Sequence, residues 1–204
     1  MVDRPVDDLP PHDRRRFFAA GIAKMLQPLA EYLEQRIPPG LLASVQEHLR
    51  PPGAIPEKEF LNTCYRCGNC VAVCPVNAIT QIREQSDELN GTPRIEPRRQ
   101  ACTICEDLSC MKACPSGALK LVDRLAIRMG LAVVDPVLCV RSQGEDCKVC
   151  LERCPLGETA IRLDGRGRVH VIDPSGTGQG CVGCGLCEQR CPTTPNRAIR
   201  VRPS

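Results

Sequence analysis

The chain has 204 residues, enough for one or two small domains, and a net charge of +3 that is spread along the sequence. It shows neither the basic stripe and aromatic platforms of nucleic-acid binding proteins nor the roughly 20 consecutive apolar residues of a membrane-spanning helix. With three Phe, two Tyr and no Trp, a conventional core is poorly supplied, and the 16 cysteines are the main candidate for another source of cohesion.

The first 37 residues allow two interpretations. Residues 13–18, with arginines ahead of two phenylalanines, resemble the twin-arginine signal that exports folded proteins. Alternatively, residues 13–36 form an amphipathic helix that rests on a membrane surface or a partner. Its apolar face would consist of Ile22, Met25, Leu26, Leu29 and Leu33. The first interpretation predicts a periplasmic protein and the second a cytoplasmic or membrane-face protein, and both are open. The proline-rich residues 38–56 are predicted to be a linker.

The cysteines form four groups of four, at residues 64–74, 102–114, 139–154 and 181–191. Each group ends in cysteine followed by proline, and the first and last groups read C-x2-C-x2-C-x3-C-P. This is the bacterial-type iron–sulfur run, whose fourth cysteine ligates the other cluster of a pair. Three thiolates on one tight loop can reach a single cubane, whereas the fourth points to a neighbouring cluster. We therefore predict four [4Fe–4S] clusters. Their predicted ligands are Cys64, Cys67, Cys70, Cys74, Cys102, Cys105, Cys110, Cys114, Cys139, Cys147, Cys150, Cys154, Cys181, Cys184, Cys187 and Cys191.

Two other uses of cysteine fit this pattern less well. Structural zinc sites use two separated C-x2-C pairs, and disulfide-bonded cysteines seldom fall at tandem two-residue spacing. The two middle groups depart from the regular run, because residues 106–109 lengthen a gap in the second group and residues 140–146 are inserted in the third. We expect these residues either to bulge as plain surface loops or to shape a surface where a partner docks.

The cysteine groups belong to an internal repeat. Each group is followed by a small residue and a short apolar run, and the last three are preceded by an apolar run, an acidic residue and a proline. This order predicts a strand, a turn, a cluster loop, a short helical turn and a strand in each repeat. The predicted fold class is α+β, with tandem bacterial-ferredoxin-like modules in residues 57–204. These modules form two two-cluster units, and a helical extension precedes them.

The segments between the cysteines carry a family resemblance. They are Leu-Arg-Pro-Pro-Gly-Ala-Ile at 49–55, the second cysteine group with its flank at 105–119, Arg-Met-Gly-Leu-Ala-Val-Val-Asp at 128–135, and the long gap of the third group. Over about residues 49–201 the chain resembles the NapG/MauM family of ferredoxin-type proteins. The resemblance implies redox protein partners, namely a membrane quinol dehydrogenase and a terminal oxidoreductase.

Related four-cluster subunits also imply how the groups pair, because in them the two outer groups form one pair and the two inner groups form the other. The implied ligand sets are Cys64, Cys67, Cys70 and Cys191 for one cluster, Cys74, Cys181, Cys184 and Cys187 for the second, Cys102, Cys105, Cys110 and Cys154 for the third, and Cys114, Cys139, Cys147 and Cys150 for the fourth. Sequential pairing, of group one with two and of three with four, is open as well, since all gaps between groups are of similar length.

The predicted function is electron transfer. Every predicted cluster has four thiolate ligands, so that no iron is open to a substrate, and we do not expect an enzyme. The protein would relay electrons through four clusters, with no nucleic acid involved. Two alternatives are open: the cluster-bearing subunit of a cytoplasmic oxidoreductase complex, and a structural or maturation factor whose clusters are redox-silent.

Overall fold

The computed structural model describes residues 48–83 and 88–204, which belong to one compact unit. The predicted N-terminal helix or export signal, and residues 38–47 of the predicted linker, lie outside the described residues. Within the described ranges, no helix is both long and apolar enough to cross a membrane.

The helices in the described ranges are short. They are α1 (Glu57–Thr63), α2 (Asn69–Ala72), α3 (Ser109–Lys112), α4 (Val149–Glu152), α5 (Pro174–Thr177) and α6 (Leu186–Arg190), with 3₁₀ turns at Arg124–Ala126, Val140–Gln143 and Gly157–Thr159. Each of α2, α3, α4 and α6 contains the third cysteine of a group. These four helices end early because the Cys-Pro pair comes directly afterwards, and proline disfavours helical backbone at the residue before it.

The strands form three antiparallel pairs. They are β1 (Ile79–Gln81), β2 (Pro93–Ile95), β3 (Gly130–Val134), β4 (Ile161–Leu163), β5 (Val169–Val171) and β6 (Ile199–Pro203). Strand β1 pairs with β2, β4 with β5, and β3 with β6. In the β3–β6 pair, Val134 lies opposite Ile199, so that the strand before the third cysteine group closes against the strand after the fourth.

The same plan occurs twice, in an N-terminal module (residues 48–122) and a C-terminal module (residues 123–204). In each module a β-hairpin joins two successive cysteine groups: β1–β2 in the first and β4–β5 in the second. The N-terminal module closes as the other does, because the Ile55 amide donates to the Ala118 carbonyl (3.1 Å) and the Lys120 amide to the Gly53 carbonyl (2.8 Å). Helices and strands are mixed as the sequence predicts, but in the described residues after the second cysteine group the predicted strand is absent, and Leu119 there forms only an isolated bridge to Ala54.

Residues 48–56, predicted from their proline content to be part of a linker, pack into the N-terminal module. Leu49 is 5% exposed and bridges to Ile95 of β2. The buried Arg50 guanidinium donates to both carboxylate oxygens of Glu57, at 2.9 and 2.6 Å, and lies over the Phe60 ring. It also donates to the Thr92 hydroxyl at 3.0 Å. The compact unit therefore includes residues 48–56 and does not begin at 57.

Candidate metal centres

The loop of the first group and the end of the second group bring four cysteines around one cavity. We call Cys64, Cys67, Cys70 and Cys114 set A. Cys70 lies in α2, and Cys114 lies just beyond α3. Burial, and after it the charges of the other three cysteines of the set and of Cys110, raise the pKa of the Cys70 thiol to about 12. The four sulfurs are thus close enough to repel one another as thiolates.

The second group completes a neighbouring cavity with a cysteine from the first. Set B consists of Cys74, Cys102, Cys105 and Cys110. Burial raises the pKa of Cys102 and of Cys110 to about 12, and Cys74 is among the neighbours that raise both values. The fourth cysteine of each group therefore crosses to the cavity of the other group, as the spacing predicts.

The C-terminal module repeats this exchange. Set D consists of Cys154, Cys181, Cys184 and Cys187, which line a third cavity. Burial raises the pKa of Cys184 to about 12 and that of Cys187 well above its ordinary value.

Set C is centred on the third group. Burial, and after it the neighbouring charges of Cys139, Cys147 and Cys191, raise the pKa of Cys150 to about 11. We call these four cysteines set C. The 16 predicted ligands thus fall into four sets of four.

The grouping corrects the nested pairing that the resemblance implied. Cys191 is not beside the first triplet but beside Cys150, and Cys114 is not in set C but in set A. By the same exchange Cys74 belongs with the second triplet and Cys154 with the fourth. The physical reason is the strand pairing: the β1–β2 hairpin folds the second group back onto the first, and β4–β5 folds the fourth onto the third. The sequential alternative is the one that the structure has.

The donors suit a positively charged, sulfur-binding group that is larger than one ion. Sets A, B and D each line an open cavity. In residues 48–83 and 88–204, no three Cys, His, Asp or Glu side chains converge as they would on a single metal ion. A cationic metal stabilises buried thiols of raised pKa as thiolates, and thiolates are the ligands that hold [4Fe–4S] clusters.

Backbone amides also face the sulfurs, which the spacing of the cysteines alone did not reveal. The Arg66 amide donates to Cys64 Sγ and the Ile104 amide to Cys102 Sγ, both at 3.4 Å. Both donors have left-handed backbone, with φ of 54° and 49°, which turns the amide inward. Alignment of the triplets could have found this position, because Gly183 stands at the same place in the fourth group with φ of 74°. The equivalent residues of the first two groups are not glycines, so their residue types alone do not predict the left-handed turn.

Comparison with known proteins agrees with the two modules. A family model of the 4Fe–4S dicluster domain matches residues 63–118 and again residues 125–194. Each match contains two successive cysteine groups, as sets A with B and C with D require. Two dicluster domains correspond to four [4Fe–4S] clusters, and 16 cysteines supply the number of thiolates that four clusters need.

The chain is also similar to curated proteins over most of its length. It is 42% identical over 165 residues to the methylamine utilization ferredoxin-type protein MauM of Paracoccus denitrificans (strain Pd 1222). The aligned region covers 76% of this chain and 71% of the relative. The chain is 40% identical over 163 residues to the ferredoxin-type protein NapG of Escherichia coli (strain K12). This alignment covers 76% of this chain and 70% of the relative. The chain therefore belongs to the family of ferredoxin-type iron–sulfur electron-transfer proteins that includes MauM and NapG.

Proposed function

We propose that sets A, B, C and D each ligate one [4Fe–4S] cluster and that the protein relays electrons along a single row of sets in the order A, B, D, C. The observation that carries this proposal is that cysteines of successive sets are close enough to influence one another electrostatically. Cys70 and Cys110 join A to B, Cys102 and Cys184 join B to D, and Cys187 and Cys150 join D to C as electrostatic neighbours. A bound cluster supplies a site that accepts and returns one electron.

The residues of the chain hold and insulate this row. The thiol of Cys184 is buried together with Cys187 in the interior of the unit, whereas Cys67 of set A is exposed. Tyr65, beside it, is 71% exposed, and Val137, two residues before Cys139 of set C, is 75% exposed. Apolar side chains thus reach the surface at both ends of the row, which favours the exchange of electrons with partners at sets A and C.

We assign the partners as a membrane quinol dehydrogenase and a terminal oxidoreductase. The similarity to MauM and NapG supports a place between two redox proteins. The alternatives are a subunit of a cytoplasmic oxidoreductase complex and a structural factor whose clusters do not change oxidation state. The N-terminal segment that would export the chain or touch a membrane lies outside the described residues and stays a prediction.

The test of the relay is an EPR-monitored redox titration of the anaerobic holoprotein. A relay requires that the clusters take up electrons reversibly, with a signal that approaches about four spins per chain at low potential. Clusters that stay silent across the range of hundreds of millivolts typical of such centres would identify a structural factor instead.

A separate experiment distinguishes the partners. Anaerobic cells are divided into periplasm, membrane and cytosol, and the chain is compared with a variant that carries Arg14→Lys and Arg15→Lys. A periplasmic protein whose variant stays inside supports the quinol-linked relay. A cytosolic protein that co-purifies with a catalytic subunit, with or without the substitutions, supports the cytoplasmic complex.

A further inference from the structure

The four crossing cysteines, Cys74, Cys114, Cys154 and Cys191, differ in the side chain that stands two positions after each of them. In every case proline comes next, and the residue after the proline is Val76, Ser116, Leu156 and Thr193 respectively. Val76, Ser116 and Leu156 line the cavities of sets B, A and D. A hydroxyl therefore accompanies the crossing cysteine of sets A and C, at the ends of the row, and an aliphatic side chain accompanies that of sets B and D, in its middle.

The Ser116 hydroxyl is aimed at sulfur. Its Oγ lies 3.5 Å from Cys114 Sγ and accepts a hydrogen bond from the Ala118 amide at 3.3 Å. Because the oxygen is engaged as an acceptor, its proton is available to the sulfur. The Leu119 amide donates to the same sulfur at 3.4 Å.

The second hydroxyl repeats this geometry more tightly. Thr193 Oγ1 lies 3.2 Å from Cys191 Sγ and accepts from the Ala198 amide at 2.7 Å. Both hydroxyls are thus fixed by a backbone amide that lies a short distance after the cysteine in sequence. The arrangement is local, so it does not depend on which partner docks.

We propose that Ser116 and Thr193 are positioning and potential-setting residues, whose hydroxyl hydrogen bonds raise the reduction potentials of the two end clusters above the values that these clusters would otherwise have. Reduction adds one electron to a cluster and moves no proton, and the added negative charge is shared with the ligating sulfurs. A fixed donor at a sulfur stabilises the reduced form more than the oxidised form, because the reduced form carries more charge. This inference rests on the proposed relay and on its ligand sets.

The variants are Ser116→Ala and Thr193→Val in the full-length anaerobic holoprotein. The matched control is Thr159→Val, because the Thr159 hydroxyl also lies soon after a crossing cysteine but donates to the Leu156 carbonyl at 2.6 Å and not to sulfur. Ser116→Thr keeps a hydroxyl at the same place. Iron and acid-labile sulfide are measured first, so that only samples with a full complement are titrated.

An EPR-monitored redox titration is expected to show that each variant lowers one of the four potentials, and that the two variants lower different ones. One neutral hydrogen bond changes an equilibrium by up to about tenfold, which a one-electron couple displays as about 59 mV. Thr159→Val and Ser116→Thr should retain the potentials of the unchanged protein.

Unchanged potentials in both Ser116→Ala and Thr193→Val, with iron content retained, would overturn the inference while leaving the relay standing. A fall in potential in Thr159→Val as large as that in Ser116→Ala and Thr193→Val would overturn it too, because the effect would then be a general response to the loss of a hydroxyl group. If no cluster of the unchanged protein can be reduced, the relay itself fails and the inference fails with it. The two failures are therefore distinguishable.

Discussion

At the scale of single residues, protons and iron compete for the same sulfurs. Burial and neighbouring thiolates raise the pKa of Cys70, Cys102 and Cys184 to about 12, whereas hydrogen bonds lower the pKa of Cys114 and Cys191. Without metal, therefore, these thiols of raised pKa are neutral at pH 8, since a thiol whose pKa is about 12 is ionised in about one molecule in ten thousand. Cluster assembly has to release these protons.

This order of acidities predicts an order of alkylation in the reduced, metal-free protein. A short pulse of iodoacetamide at pH 8, read by peptide mass spectrometry, should label Cys114 and Cys191 well before Cys102 and Cys184, because only thiolates react. A higher pH should narrow the difference, since it ionises the thiols of raised pKa. In concentrated urea the cysteines should react alike, and an order that persists there, or one that is reversed in the folded chain, would contradict the assignment.

The ligand sets predict which pairs of cysteines share a cluster. Replacing Cys67 and Cys114 together by alanine removes two ligands of set A, so the reconstituted protein should lose about four of about sixteen irons. Replacing Cys114 and Cys147 together disturbs sets A and C and should cost about eight. Iron and sulfide assays decide between the pairings, because the nested arrangement requires the opposite result for the two double variants.

At the scale of elements, the insertion in the third group is an anchored turn. Residues 140–143 form a 3₁₀ turn, and the Arg141 guanidinium donates to the Gly167 carbonyl at 2.7 Å, to the Asp146 carboxylate at 2.7 Å and to the Cys147 carbonyl at 3.3 Å. Arg141 thereby ties the insertion to the β4–β5 turn and to a ligand of set C. The inserted residues are therefore bound to the cluster loop, while their expected roles as a plain surface loop or a docking surface stay predictions.

We predict that Arg141→Ala makes set C labile without unfolding the rest. The cluster loop would lose three hydrogen bonds, so its opening should be about tenfold more frequent. When a chelator is added, the visible absorbance of the clusters should then decay with an additional, faster phase. Its amplitude should be about a quarter of the total loss, because one cluster of four is affected. Lys148→Ala is the control, because Lys148 is half exposed and contacts only Asp146 among these groups. A uniform acceleration of all four clusters would contradict the local role.

The segment before α1 is the second element whose role was concealed in the sequence. Arg50 is 6% exposed and its guanidinium joins Glu57, Thr92 and the Pro93 carbonyl. Arg50→Met should lower the free energy of unfolding by about 3–5 kcal/mol, because it leaves buried polar partners without their donor. Chemical unfolding of the anaerobic holoprotein measures this. The half-exposed Arg168, paired with Asp164 on a hairpin turn, is the control, and its replacement by Met should change little.

The order of loops and turns within each cysteine group could be predicted from the sequence, whereas the pairing of the groups with one another could not. The spacing of cysteines and the Cys-Pro pairs are local signals, so they predicted the loops, the short helical turns and the crossing of every fourth cysteine. Which group receives each crossing cysteine depends on which strands pair, both in the β1–β2 and β4–β5 hairpins and across a long separation in the β3–β6 pair, where Val134 lies opposite Ile199. The gaps between groups are of similar length, so sequence spacing did not favour one pairing. The proline-rich sequence around Arg50 predicts a linker, and nothing in that local pattern indicates that the Arg50 side chain is buried.

At the scale of the whole molecule, one junction joins the two modules. The Cys102 amide of set B donates to the Cys184 carbonyl of set D at 3.0 Å. Beside this bond, Gly185 packs so closely on Pro97 that a Cβ at position 185 would lie 2.5 Å from Pro97 Cβ. Gly185 also has left-handed backbone, with φ of 85°. Glycine at this position therefore permits the contact that makes sets B and D neighbours.

The continuity of the row at this junction is the central claim, and dipolar EPR of the partly reduced holoprotein tests it most directly. At a potential where about one cluster in each module is paramagnetic, spins in different modules should interact. We predict that Gly185→Ala, which clashes with Pro97, weakens this interaction, and that adding Pro97→Gly restores it. Gly178→Ala has the same left-handed strain (φ of 70°) with no atom within 4 Å of the new Cβ, and it should behave as the unchanged protein. Spins that do not interact between modules in the unchanged protein, or an interaction that Gly185→Ala leaves intact while all four clusters are retained, would contradict the row.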